Sequence, residues 1–275
     1  MLIDLKNIIK NTIGLSAKFL NLLENKKNFG FVFHDVTDDP TDFQRKNKLY
    51  VTPNTFKNQI QWIKKYFHPV FPEEIYSTKK YDKNVVVISF DDGYAGAVMI
   101  GSKVLIRQSV PHIHFLNGNT VLGDISSFLA SKRYFKSDGD DDGHLEDFEL
   151  ADLGKFSDTK LLVQTAESPY VRYGNHFLCH FSATELSSAD FEFQTAKNVE
   201  TLNQINMINH LALPFSELDH SSAVRLSSGL KTFHVVWGGP NTSYTKLDNF
   251  IKRVPLCEDE NTEAKLIYRI LKSNV

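Results

Sequence analysis

Short, unbroken apolar runs punctuate the chain: FGFVF near residue 30, VVVISF ending at Phe90, then HIHFL, HFLCHF, HLALPF and TFHVVW. Runs without polar alternation predict strands covered on both faces. Helical patterns lie between some of them. Thr52-Pro53 reads as a threonine N-cap followed by proline in the first turn, where a missing N–H costs nothing. Phe56, Ile60, Ile63 and Phe67 then mark a buried stripe. The stretch 183–205 predicts another helix. Strands alternating with helices imply parallel pairing, as a barrel or an open sheet.

The N-terminal segment is helical by its spacing of Leu5, Ile8, Ile9, Ile13, Leu20 and Leu23. It predicts a helix packed on the domain. The alternative is a basic amphipathic helix on a membrane surface, since Lys6, Lys10, Lys18, Lys26 and Lys27 outnumber Asp4 and Glu24. Charged residues interrupt it too often for a signal peptide or a span. The expected organisation is a helical segment at 1–28 and one barrel domain at 29–275, with a helical, acidic insertion at about 124–160.

Polar groups follow the apolar runs: His34-Asp35 after the first, Asp91-Asp92 after VVVISF, then Asn117 to Asn119, and Ser216-Glu217. In parallel α/β folds ligands gather at the carboxyl ends of the strands, so these groups are expected to form one site. Two adjacent carboxylates on a regular strand point apart. At a strand end one can bind a metal while the other takes a proton, and Gly93 allows a sharp turn after them. His176 and His180 are four apart. On a helix or a strand-to-helix turn that spacing can bring both rings to one cation. The bland alternative is a pair of core histidines beside a capping aspartate.

The formal net charge of -2 lacks the basic excess of a nucleic-acid binder. Two cysteines, Cys179 and Cys257, make no disulfide framework and suit a reducing compartment.

Residues 89–93, SFDDG, together with HFLCH and LPF in that order, resemble the motifs of the polysaccharide deacetylase family, the NodB-homology carbohydrate esterases. FHDV at 33–36 and YVTPNTFKNQIQWIKKYF after it resemble the family's opening strand and the segment before its second strand. The resemblance spans about 30–256. It implies an imperfect (β/α) barrel, α/β in class, and metal-dependent removal of acetyl groups from sugars. By resemblance Asp92, His176 and His180 are the metal ligands, most suitably for zinc, and Asp91 is the general base. Pro214 and Phe215 line the substrate, the backbone at Phe215 supplying an oxyanion donor. Trp237 is a candidate to line the sugar site, since aromatics stack on sugar faces, with a place in the core as its alternative. The chain departs from the family at three places. Ala212 stands where an arginine usually positions the base. Phe177 replaces a serine or threonine. The late histidine that protonates the leaving amine has no match after Trp237. His34 and His234 are the candidates to substitute for it, and the sequence does not choose between them. His34, carried as a catalytic candidate, has a structural hydrogen-bonding role as its alternative.

Residues 138–149, DGDDDGHLEDFE, fit a calcium-loop template, with Asp138, Asp140, Asp142, His144 and Glu149 as candidate ligands and Gly143 at the turn. The alternative is an acidic surface loop. The functional expectation is a deacetylase of an N-acetylated glycan or activated sugar in surface-polysaccharide biosynthesis. Its expected place is the cytoplasm, or the inner face of the membrane through the N-terminal helix. A catalytically weak glycan-binding barrel and a calcium-sensing interaction protein are the competing readings.

Overall fold

The computed structural model describes residues 17–24, 29–75, 80–124, 153–217, 232–236 and 250–273. Among them, seven parallel strands close a ring: β1 (Phe29–Phe33), β5 (Asn84–Phe90), β6 (His112–Leu116), β7 (Val171–Asn175), β8 (Met207–Ala212), β9 (Thr232–Val236) and β10 (Phe250–Pro255). Closure comes from β1, which pairs with both β5 and β10. A short strand, β4 (Phe67–Pro69), lies along the start of β5, and β2 (Asp35–Val36) pairs with β3 (Tyr50–Val51) outside the ring. The register slips between Tyr173 and Asn175 where β7 meets β8. This is the imperfect barrel that the motif resemblance implies.

The unbroken apolar runs follow from the ring. Every residue of β5 is buried. Successive side chains alternate faces, so a strand with packing on both sides has no polar face to show. Val85 and Val87 look inward to Ile113, Phe115, Ala212 and Ile251. Val86, Ile88 and Phe90 look outward to Phe56, Ile60 and Ile63 of the helix Pro53–Tyr66. That helix starts as expected, with the Thr52 hydroxyl accepting from the Thr55 amide at 3.3 Å. The helical stretch at 17–24 buries Phe19 against Tyr66, ring centroids 5.0 Å apart. Residues 1–16 and the proposed calcium loop at 138–149 lie outside the described residues. Among the described residues no helix is long and apolar enough to cross a membrane.

Two local expectations change. HFLCHF is not a strand: β7 ends at Asn175 and the run forms the loop after it. Conversely β10, FIKRVP, was not among the apolar runs, because Lys252 and Arg253 interrupt it.

Polar groups also sit deep outside the ring. Burial favours the neutral His112 ring, which donates from Nδ1–H to the Val110 carbonyl at 3.0 Å and accepts at Nε2 from the Ser102 hydroxyl, 2.9 Å away. Ser102 has one proton to give, so the His114 Nε2–H at 2.7 Å must donate to it. Burial pushes His112 down from 6.5 to about 4 and, with a contribution from His112, holds His114 well below its ordinary value. The unfolded chain takes up these protons and the folded one refuses them. Their stabilisation is thus full above about pH 6.5 and is lost as the pH falls toward 4. Thermal melts of metal-free protein should show a clearly lower midpoint at pH 5 than at pH 7, with a shallower fall in His112→Gln; equal midpoints at the two pH values would refute this.

Candidate metal centre and active site

The carboxyl ends of β1, β5, β7 and β8 bring together residues far apart in sequence. Ser89 and Asp91 continue the inward face of β5. The backbone then turns left-handed at Asp92 (φ 70°) and Gly93 (φ 82°). That turn lets adjacent carboxylates take different neighbours. Asp91 stays inside the ring, and Asp92 faces the loop after β7.

Asp92 is fully buried, and His176 and His180 nearly so, each with Nε2 3.2 Å from Asp92 Oδ1. Their ligating atoms all lie within 4.8 Å of one another. The His176 Nδ1–H donates to the Ala212 carbonyl at 2.8 Å, so that in the neutral ring the Nε2 lone pair is aimed at the carboxylate. Neither Asp92 oxygen sits in a well-formed hydrogen bond. Buried acceptors facing acceptors are costly without a cation between them. Burial opposes the Asp92 charge, but His180, His176 and His34 together outweigh it and hold the carboxyl well below its usual range. Burial also opposes protonation of His176, yet Asp91 and Asp92 raise its pKa, which is a second sign that this pocket favours a positive charge. One carboxylate and two imidazole nitrogens are a donor set that fits a divalent transition ion and leaves positions for water and substrate. The residues present therefore fit a metal.

Asp91 is held from across the ring. Arg253 of β10 donates to Asp91 Oδ1 at 2.7 Å and to Oδ2 at 2.8 Å. Its Nη1 also reaches the Ser89 hydroxyl at 3.0 Å, and its guanidinium lies over the Phe115 ring, 5.2 Å from the centroid. The arginine is completely buried. Gly30 on the neighbouring strand makes room for it, since a Cβ there would lie 3.1 Å from Arg253 Cγ and 3.2 Å from the Val87 carbonyl.

No family model matches the sequence, and no curated protein matches it. Solved structures do. The chain is similar to BC0361, a polysaccharide deacetylase from Bacillus cereus, with a TM-score of 0.62 and 14% identity over 90% of this chain and 68% of that one. The fold is that of the polysaccharide deacetylases. The deacetylase PplD of Streptococcus pyogenes, in complex with acetate, shares it at a TM-score of 0.64 and 12% identity, over 88% and 97% of the two chains. IcaB from Ammonifex degensii does so at 0.63 and 14%, over 89% and 97%. At such identities the likeness is one of fold, and the chemistry rests on the residues in place.

On this polysaccharide deacetylase fold, most expected residues lie at one mouth. Asp91, Asp92, His176 and His180 come together. Phe215 follows β8 and sets its ring edge-on to His180, centroids 4.7 Å apart, with Pro214 buried beside it. Half-buried His34 at the end of β1 is near enough to act electrostatically on both Asp92 and His180. Trp237 lies outside the described residues, as do all five calcium candidates, and the side chain of His234 is likewise not described.

The histidine pair is carried by an irregular loop rather than a helix, with Phe177 left-handed at φ 65°. Sequence reading missed Arg253 altogether. It looked for an arginine at position 212, where Ala212 instead offers its carbonyl to His176. The available signal was an arginine inside a strand whose neighbours Ile251 and Val254 are apolar. Arg253→Met should strip a buried carboxylate of its partner and lower folding stability by about 3–5 kcal/mol. Replacing both partners, as Arg253→Met with Asp91→Leu, should recover most of that loss. Denaturant titration decides it, and an unchanged midpoint in Arg253→Met would show the pair to be unimportant for stability.

Proposed function

We propose that this chain is a metal-dependent hydrolase that removes the acetyl group from an N-acetylated sugar. The observation that carries the reading is the convergence of Asp92, His176 and His180 beside an arginine-held Asp91, on the fold of the polysaccharide deacetylases.

Asp92, His176 and His180 would hold a divalent transition ion, most suitably zinc, which would supply Lewis-acid polarisation of the acetyl carbonyl and make water more acidic. The remaining work falls to the chain. Asp91 takes the proton of the attacking water as its oxygen bonds to the acetyl carbon. Arg253 uses one lone pair on each Asp91 oxygen and fixes the plane of the carboxylate, leaving a second lone pair for the proton. The backbone N–H of Phe215 supports the oxyanion. His34 donates a proton to the sugar nitrogen as the C–N bond breaks, so that acetate and a free amine leave. Phe215 and Pro214 wall the acetyl group, and Trp237 is proposed to meet the sugar face. A role in building a surface polysaccharide suits such an activity.

Glycan binding without turnover is the second reading. It is favoured by the two Asp91 oxygens already being bonded to Arg253. Acetate release separates the two. Purified protein should hold about one transition ion per chain, lost in His176→Ala/His180→Ala. It should also release acetate from N-acetylated sugar oligomers. Asp91→Asn should retain the ion and lose turnover by at least about a hundredfold, and His34→Ala should lower kcat more than it raises KM. Ion binding with no acetate release from any N-acetylated sugar would favour the binding reading. Well-folded protein that takes up no ion would reject the hydrolase.

A further inference from the structure

The helix α7 (Ser188–Thr201; α1 to α6 being 17–24, Asp42–Asn47, Pro53–Tyr66, Lys103–Arg107, Gly118–Val121 and Thr159–Ala166) packs on the ring with an unusual inner face. Its buried residues are Phe191, Gln194 and Asn198. An amphipathic helix ordinarily buries an apolar stripe, and a buried amide is costly unless its polar atoms are engaged. Here Gln194 Oε1, Asn198 Nδ2 and the backbone beside them are engaged by the strand end and loop that carry the two histidines, while Asn198 Oδ1 has no partner among the described residues.

The Gln194 Oε1 accepts from the amide of Cys179, the residue before His180, at 2.8 Å. The Gln194 carbonyl accepts from the Leu178 amide at 3.1 Å. Asn175, the residue before His176, donates from Nδ2 to the Thr195 carbonyl at 2.9 Å. Its Oδ1 accepts from the Phe177 amide and from Asn198 Nδ2, both at 2.8 Å. Asn198 Nδ2 reaches on to the Leu116 carbonyl at the end of β6, also at 2.8 Å. Gly118 leaves space for it, since a Cβ there would fall 2.8 Å from Asn198 Oδ1. Phe191 closes the row, its ring edge-on to Phe177 at 5.1 Å.

The loop needs such a grip. Phe177, between the histidines, stands in a left-handed conformation that a side chain with a Cβ disfavours.

We infer that the inner face of α7 is a polar clamp that sets the spacing of the histidine pair, with Gln194 and Asn198 as positioning residues for the ion the pair would hold. This rests on the metal reading above. Groups behind the ligands commonly change metal affinity about 10- to 100-fold when removed.

The atoms dictate an asymmetric test. Gln194 works as an acceptor, so Gln194→Glu keeps the contact and Gln194→Met deletes it. Asn198 works as a donor, so Asn198→Asp sets acceptors against acceptors. Cobalt affinity and visible spectrum would be measured on folded, metal-stripped protein, with hydrogen exchange at the Cys179 amide. Gln194→Met and Asn198→Asp should weaken cobalt at least about tenfold and alter its spectrum, while Gln194→Glu stays close to wild type. Folded Gln194→Met with wild-type affinity, spectrum and exchange would overturn the clamp, even if its melting temperature falls. Should Asn198→Asp fail to fold, the two Gln194 variants decide alone. Wild-type protein that binds no cobalt would sink the metal reading instead. The clamp would then be judged on exchange: faster exchange of Cys179 in Gln194→Met supports it, and unchanged exchange refutes it.

Discussion

Two neighbouring carboxylates lie inside this protein, and the mouth of the barrel is organised around their charge. A carboxylate removed from water needs a cation or several donors. Asp91 and Asp92 receive different answers because the backbone reverses its hand between them. Asp91 meets the guanidinium of Arg253 across the ring. Asp92 meets two imidazole nitrogens, that of His176 an acceptor toward it while the ring is neutral, and so the pocket favours a positive charge. A side chain supplies the first compensation. The second is open to a metal, and this division sets a carboxylate held by an arginine beside one that a cation would suit.

The frame behind the carboxylates is apolar and continuous. Phe33, Phe56 and Phe90 pack on one another outside the ring, with centroids between 5.0 and 5.8 Å apart. The interior below the carboxylates is packed with Val85, Val87, Ile113, Phe115, Ala212 and Ile251. Side chains in such a core have little room to move, so the strand ends are presented at fixed spacing. Strain is then tolerated at the ends. Of the non-glycine residues with positive φ among those described, Asp92, Phe177, Phe215 and Ser216 all belong to the site loops. Their cost is met by the stability of the ring and by contacts such as the α7 amides.

Much of this was legible in the sequence, for identifiable reasons. Apolar runs covered on both faces betray parallel strands, and Thr52-Pro53 announces a helix, because both are local consequences of burial and backbone geometry. Asp91, Asp92, His176 and His180 could be singled out because their spacing and order resemble known motifs. Arg253 could not be reached that way. Its partner lies 162 positions away, and only closure of the ring through β1 brings β10 beside it. HFLCHF misled for the opposite reason. Its composition is that of a buried strand, but its burial comes from a helix covering a loop.

That misreading bears on how the site can vary. A metal loop built from a regular element would inherit its geometry from backbone hydrogen bonds and tolerate most outer substitutions. This loop takes its geometry from side-chain amides on another element. The hydroxyl expected between the histidines is replaced by Phe177, whose ring belongs to the packing against Phe191 and whose amide is tied to Asn175. Similarly, position 212 of β8 is an alanine, and the arginine that bonds Asp91 stands on β10, beside a glycine on β1. In both places a contact is supplied from a different part of the chain. What has to be preserved is the position of a few polar atoms around two buried carboxylates, and the fold offers more than one strand or helix from which to supply them.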